Sequence, residues 1–320
     1  MNKLKITVLE PLGVEKEKLE EIAKPLRDKG YELEVFEEKT EDKEELKERV
    51  KDTNILVIAN SALEGEVIKA AKKLEMLSVA FTGVDHVDLK AAKERDVLVS
   101  NAAGYSTPAV VELTFGLMID VLRNVVPLDK ITRASGTKEG FRQRELKGRT
   151  LGILGTGDIG NDVAKVALAF GMEVIAFSRT EVEELKDLGV DYVSMEGVFK
   201  KSDIVTVHLP LNEATEGIVS KEYLDMMGED SILVNAARGP IIDNTALAKK
   251  LNNEEISGAG IDVFDMEPPI PSDYPLLDAK NTVLTPHIAY ASEEAMVRRA
   301  KIVFKNIERY VEGDPQNVIK

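Results

Sequence analysis

Residues 149–179 read RTLGILGTGDIGNDVAKVALAFGMEVIAFSR. A β-rich run ends at Leu154. Gly155, Thr156, Gly157, Asp158, Ile159 and Gly160 then spell G-x-G-x-x-G, and a helix-period segment runs on to Gly171. EVIAF (173–177) is the next strand. Strand, glycine turn, helix and strand together make one βαβ unit of the length that binds a dinucleotide. Gly155 suits the tight turn, Gly157 lets backbone approach a pyrophosphate, and Gly160 lets helix and strand pack closely. The helix start offers unpaired N–H groups and a positive dipole end to the phosphates.

The end of the second strand bears on which dinucleotide. An acid there bonds both ribose hydroxyls in NAD-type sites. Here the position is Ser178, eighteen residues after Gly160, followed by Arg179 and Thr180. A carboxylate repels a 2′-phosphate, whereas a hydroxyl donates to it and a guanidinium neutralises it. The sequence leans toward NADP(H), with NAD(H) as the alternative.

Outward from this unit the pattern stays strand–helix almost throughout. KITVLE (5–10), YELEVF (31–36), NILVIA (54–59) and MLSVAFTGVD (76–85) are strand-like and alternate with charged helical stretches such as 15–30, whose middle Pro25 weakens. That alternation predicts parallel-sheet α/β architecture. TPAVVELTFGLMIDVLR (107–123) is a helix apolar on most sides, with Thr107 as cap and Pro108 in its first turn, and it is expected to be buried between domains or subunits. The polar stretch 135–150 reads as a boundary loop.

The totals bound the function. At 320 residues the chain suits two domains, and its net charge of −15 opposes a broad nucleic-acid or anionic-membrane face. There is no cysteine, which excludes disulfides, thiolate metal sites and thiol nucleophiles and fits a reducing, cytoplasmic setting. No signal peptide or membrane span is read, and no metal site is expected.

Candidate proton carriers are few. The only histidines are His86, His208 and His287. His208 (DIVTVHLPLN) and His287 (NTVLTPHIAY) both follow strands, Arg238 follows SILVNAA, and Glu267 follows the strand 257–263. Strand ends are where α/β sheets keep their sites. The residues alone leave the three histidines unranked.

ELKGRTLGILGTGDIG, VHLPLNEAT, NAARGPIID, GAGIDVFDMEPP and TVLTPHIA occur in this order, with FTGVDHVDL earlier. In these motifs the chain resembles the D-isomer-specific 2-hydroxyacid dehydrogenase family over nearly its whole length. The resemblance implies two Rossmann-like/flavodoxin-like parallel-sheet domains, the nucleotide domain inserted into the substrate domain. The substrate domain would be 1–100 plus 290–320 and the NAD(P)-binding domain 101–289, with the active site in the crevice. It implies that Arg238 clamps the substrate carboxylate and carbonyl, that His287 carries the proton, and that Glu267 bonds His287. Asp262 would meet the nicotinamide carboxamide. His208, Leu209, Pro210, Thr215, Ala236 and Thr107 would line the cofactor. The backbone of Thr82, Gly83 and Val84 would bind the substrate carboxylate, with Asn60 nearby. The long helix implies a homodimer.

Asn60 stands where phosphoglycerate enzymes resembling this stretch carry an arginine. One uncharged side chain in an acidic protein is poor company for a phosphate, unless Arg144 or Lys147 approaches instead. The expected substrate is therefore a small 2-keto or 2-hydroxy acid such as hydroxypyruvate or glyoxylate. D-3-phosphoglycerate dehydrogenase and a dinucleotide-sensing, corepressor-like binding protein are the alternatives.

Overall fold

The computed structural model describes residues 4–319. The chain divides into two compact units. One comprises the chain up to Ser106 and again from Ala291 onward; the other is Thr107–Tyr290.

The first unit holds five parallel strands: β1 (Lys5–Val8), β2 (Glu32–Val35), β3 (Ile55–Ile58), β4 (Met76–Val79) and β5 (Leu98–Ser100). Their order is β2-β1-β3-β4-β5, the flavodoxin-like arrangement. β3 and β4 are buried at every position, as expected for central strands covered on both faces. The helix Lys16–Asp28 runs through Pro25 and buries Leu19, Ala23 and Leu26, so tertiary packing outweighs the missing backbone donor. The helix Glu293–Val311 returns to this unit and buries Met296, Val303, Phe304 and Ile307.

The second unit holds seven parallel strands: β6 (Thr150–Leu154), β7 (Glu173–Phe177), β8 (Asp191–Tyr192), β9 (Ile204–Val207), β10 (Ile232–Asn235), β11 (Gly258–Ile261) and β12 (Thr282–Leu284). The order is β12-β11-β10-β9-β6-β7-β8. Strand order reverses between β6 and β9, which puts the topological switch point beside the glycine turn.

The helix Thr107–Arg123 starts at Thr107 itself, so Thr107 is its first residue rather than its cap. It is buried against its own sheet. Leu117 and Val121 press on Gly260 and Gly258 of β11, where an added Cβ would meet them at 2.8 and 2.7 Å. A second helix, Val125–Arg133, follows with no buried residue.

The stretch 135–150 is not a boundary, because it lies inside the second unit. Arginines tie it to the starting ends of the strands. Arg142 pairs with Asp230, Arg144 donates to Asp230 O (2.7 Å) and to Ser257 Oγ, and Arg149 reaches Asp203 (3.2 Å). These partners precede β9, β10 and β11, at the opposite edge of the sheet from Gly155. Lys147 lies against Gly171, ahead of β7. Neither Arg144 nor Lys147 reaches the strand ends where an anionic substrate would be held.

Candidate active site

The glycine turn follows β6. Gly155 has φ +93°, and a Cβ there would sit 2.8 Å from the His208 carbonyl oxygen. At Gly160 a Cβ would lie 1.9 Å from the Gly155 oxygen, so both positions exclude larger residues. Gly157 differs: nothing lies within 4 Å of where its Cβ would be. It also precedes the helix Asp158–Ala169 without any side-chain cap. The first-turn N–H groups are thus left without a capping side chain beside open space. That arrangement fits a dinucleotide pyrophosphate.

Ser178 is half-buried at the end of β7, with Arg179 and Thr180 exposed behind it. The 208–210 segment follows β9 and packs against the glycine turn through His208 and Leu209. Thr206 Oγ1 lies 3.0 Å from His208 Nε2, and burial pushes the imidazole pKa down to about 4. A ring held neutral in this way is a packing element of the turn. The Thr215 hydroxyl donates to Pro210 O at 2.5 Å and closes its own loop.

Arg238, Glu267 and His287 sit beyond the ends of β10, β11 and β12, three adjacent parallel strands. Two structural ties string them together. Gly239 packs against the backbone of Phe264 and Asp265, joining the Arg238 turn to the loop that carries Glu267. His287 Nδ1 then lies 2.8 Å from Glu267 Oε2 and 2.9 Å from Oε1. The Arg238 turn is itself braced: Asn235 Nδ2 donates to Arg238 O at 2.9 Å, and the Ala237 N–H donates to Asn235 Oδ1 at 3.0 Å. Ala236 lies between those braced residues.

His287 has φ +55°, a conformation that non-glycine residues rarely adopt. Its N–H donates to Asp262 O at 2.8 Å. Asp262 is fully buried and accepts from Thr285 Oγ1 (2.6 Å) and from the N–H groups of Ile288 and Ala289 (2.9 Å each). Burial pushes its carboxyl pKa up, against the pull of those three bonds. Asp262 thereby fixes the turn on which His287 stands. Strain held in place by such a network is typical of functional sites.

A second brace lies outside the expected set. Asp265 accepts from Asn244 Nδ2 at 2.7 Å and from the Tyr274 hydroxyl at 2.9 Å, while Asn244 Nδ2 also reaches Gly239 O at 3.2 Å. Asn244 follows Arg238 by only six residues, but nothing in its local sequence marks it as a partner of Asp265.

The remaining expected residues belong to the first unit. Asn60 is exposed just after β3. Thr82, Gly83 and Val84 follow β4, and Thr82 O accepts from Asn101 Nδ2 at 2.7 Å. Glu10, buried after β1, accepts from the N–H groups of Ala59 (2.8 Å) and Ser61 (3.0 Å) and from the Ser61 hydroxyl (2.7 Å). His86 Nε2 lies 2.9 Å from Ala59 O, and its ring meets Phe81 edge-on. Tyr105 is buried beside Phe81. Among the described residues no group of three or more acidic or histidine side chains could hold a metal ion, and no helix is long and apolar enough to cross a membrane.

Comparison with known proteins gives a consistent picture. The sequence profile described as "D-isomer specific 2-hydroxyacid dehydrogenase, NAD binding domain" matches residues 115–289. The glyoxylate reductase of Korarchaeum cryptofilum is 38% identical over 90% of this chain and 90% of its own. The hydroxypyruvate reductase of Thermotoga maritima is 38% identical over 83% of this chain and 87% of its own. The D-3-phosphoglycerate dehydrogenase of Methanocaldococcus jannaschii is 37% identical over 99% of this chain, which spans only 59% of that protein. Among solved structures, an acyclic imino acid reductase in complex with NADPH and D-Arg superposes with a TM-score of 0.89 at 32% identity, covering 99% of this chain and 100% of the other.

Proposed function

The chain belongs to the D-isomer specific 2-hydroxyacid dehydrogenase family, enzymes that act on CH–OH donors with NAD(P), and from that premise we propose that it reduces hydroxypyruvate or glyoxylate to the 2-hydroxy acid with NADPH. One observation carries the reading: the His287–Glu267 pair is tied to the Arg238 turn at the ends of three neighbouring strands, in the same unit as the glycine turn.

In this reading the Arg238 guanidinium binds the substrate carboxylate and polarises the keto oxygen. Glu267 accepts from His287 Nδ1, which fixes the tautomer and directs Nε2 as the proton carrier. In reduction Nε2 donates its proton to the developing alkoxide, and in oxidation it takes the proton back. The nicotinamide, when bound, supplies the hydride in reduction and receives it in oxidation. The preference for an unphosphorylated acid rests on Asn60, an uncharged side chain that offers no cation to a phosphate.

The choice of NADPH is supported by Ser178 and Arg179 beyond β7, where the strand-end position carries a hydroxyl in place of a carboxylate. A cytoplasmic homodimer completes the reading. It is supported by the absence of cysteine and by exposed Ile119, Val125 and Val126 on the helices Thr107–Arg123 and Val125–Arg133.

Initial-rate measurements with NADPH and NADH against hydroxypyruvate, glyoxylate and phosphohydroxypyruvate test the proposal. Turnover of either unphosphorylated acid, with kcat/KM higher for NADPH, supports it. A preference for phosphohydroxypyruvate points to the phosphoglycerate alternative. Cofactor binding without turnover of any acid points to a dinucleotide sensor.

A further inference from the structure

One oxygen atom joins three segments of the second unit. The Tyr192 hydroxyl donates to Thr156 Oγ1 at 2.9 Å and accepts from the Val182 N–H at 3.0 Å. Thr156 is the buried second residue of the glycine turn. Val182 closes the loop that begins at Ser178 and Arg179. Tyr192 itself stands on β8, the two-residue edge strand, in register with Ala176 of β7.

The edge strand is thus placed to act as a strut. Its pairing with β7 fixes the Tyr192 backbone, and the Val193 N–H adds a bond to Ala176 O at 2.9 Å. The half-buried ring then spans from the sheet edge to the glycine turn. Outside it, Lys186 pairs with Glu181 (2.5 Å) and Glu183 (2.9 Å) and lies 5.9 Å from the ring centre. Those outer pairs are solvent-exposed and contribute little. The hydroxyl is the inner tie between the 178–182 loop and the phosphate-binding turn.

We propose that Tyr192 is a positioning residue for cofactor discrimination: its hydroxyl holds Ser178 and Arg179 at a fixed reach from the pyrophosphate cradle. The proposal rests on the reading of Ser178 and Arg179 as the 2′-phosphate site. Two parts of the cofactor are affected differently. The pyrophosphate meets the glycine turn and helix start in either dinucleotide. A 2′-phosphate depends on the loop more than ribose hydroxyls do, because a charge-assisted bond demands donors at about 2.7–2.9 Å. An exposed arginine on an untethered loop must lose more freedom to make that bond. Loss of the tether therefore weakens NADPH more than NADH.

Titration calorimetry of NADPH and NADH on wild type, Y192F, R179A and the double variant tests this. Y192F removes one oxygen and keeps the ring. Its NADPH Kd should rise about five- to tenfold, the scale of one lost hydrogen bond, with the NADH Kd within about twofold. In the R179A background the same change should add little, since the tether then has no guanidinium to position. T156V removes the hydroxyl partner from the other end and should shift the Kd ratio in the same direction, which keeps the test open if Y192F folds poorly. An unchanged ratio in Y192F and T156V, or equal weakening of both cofactors, overturns the tether while leaving the 2′-phosphate reading intact. An R179A protein with wild-type affinity for NADPH overturns that reading and the tether with it.

Discussion

Gly239 lies so close to Phe264 that a Cβ on it would fall 2.0 Å from both the carbonyl carbon and the carbonyl oxygen. This contact joins the turn carrying Arg238 to the loop carrying Glu267. The obstacle is backbone, so it cannot swing aside as a side chain would. Gly239→Ala should destabilise the protein by on the order of 1–3 kcal/mol through overpacking. It should also separate the two loops, and misplacement of about 1 Å can cost on the order of 100-fold in rate. Thermal denaturation and kcat/KM measured on one preparation check both effects. A variant with wild-type kcat/KM would show that the contact does not position the site.

Asp265 holds the same junction from the other side through Asn244 and Tyr274. Burial, followed by the hydrogen bond to Asp265, pushes the Tyr274 phenol pKa up, so the hydroxyl remains a donor at alkaline pH. Asp265→Ala leaves that buried hydroxyl and the Asn244 amide short of an acceptor, a cost of roughly 1–3 kcal/mol. Tyr274→Phe removes the donor along with its need for a partner and should cost less than Asp265→Ala. If the brace positions Glu267, Asp265→Ala lowers kcat more than it raises KM, and Asp265→Asn recovers part of the loss by restoring an acceptor. Equal stability of the alanine and phenylalanine variants would contradict this accounting.

The architecture and most of the candidate site can be read in the sequence because both repeat a local pattern. Each apolar run ends in a short polar motif, and parallel pairing brings those ends to one edge. The braces are not legible. Tyr192 meets Thr156 across 36 residues, and Glu10 meets Ser61 across 51, with no spacing rule to link them. A tyrosine, an aspartate or a glutamate near a strand end also suits a solvated surface. The helix Val125–Arg133 escapes notice for a different reason: a single residue, the left-handed Asn124, separates it from the long helix before it. The left-handed conformation of His287 is held by its own N–H bond to Asp262 O and by the bonds that Asp262 accepts from the next two residues.

His208 makes the stability of the second unit sensitive to acid. Its folded pKa, about 4, lies below the ordinary value of 6.5 because burial penalises the imidazolium. Between those two values the unfolded chain binds a proton that the folded chain does not. The stabilisation is therefore fully present above pH 6.5 and is lost as pH falls toward 4, by on the order of 2–3 kcal/mol. Denaturant titrations of wild type and His208→Asn across pH 4–7 should converge at low pH, since the variant lacks the titrating group. A constant difference across the range would mean that His208 does not titrate between the two states.

Glu10 is the corresponding brace in the first unit. Its carboxylate collects the N–H groups of Ala59 and Ser61 and the Ser61 hydroxyl, which shapes the turn presenting Asn60. Ala59 O in turn lies 2.9 Å from His86 Nε2, so the carboxylate and the imidazole grip the same turn through neighbouring groups. Glu10→Ala strands three polar groups at once and should loosen the turn. If Asn60 faces substrate, KM for the keto acid should rise by about tenfold, equivalent to about 1.4 kcal/mol, with a smaller change in kcat. Glu10→Gln keeps an acceptor for the two N–H groups and can still bond the Ser61 hydroxyl, so it should stay near wild type. A fall in kcat at unchanged KM would place the effect of Glu10 on the chemical step instead, and unaltered kinetics in Glu10→Ala would remove the turn at 59–61 from the substrate site altogether.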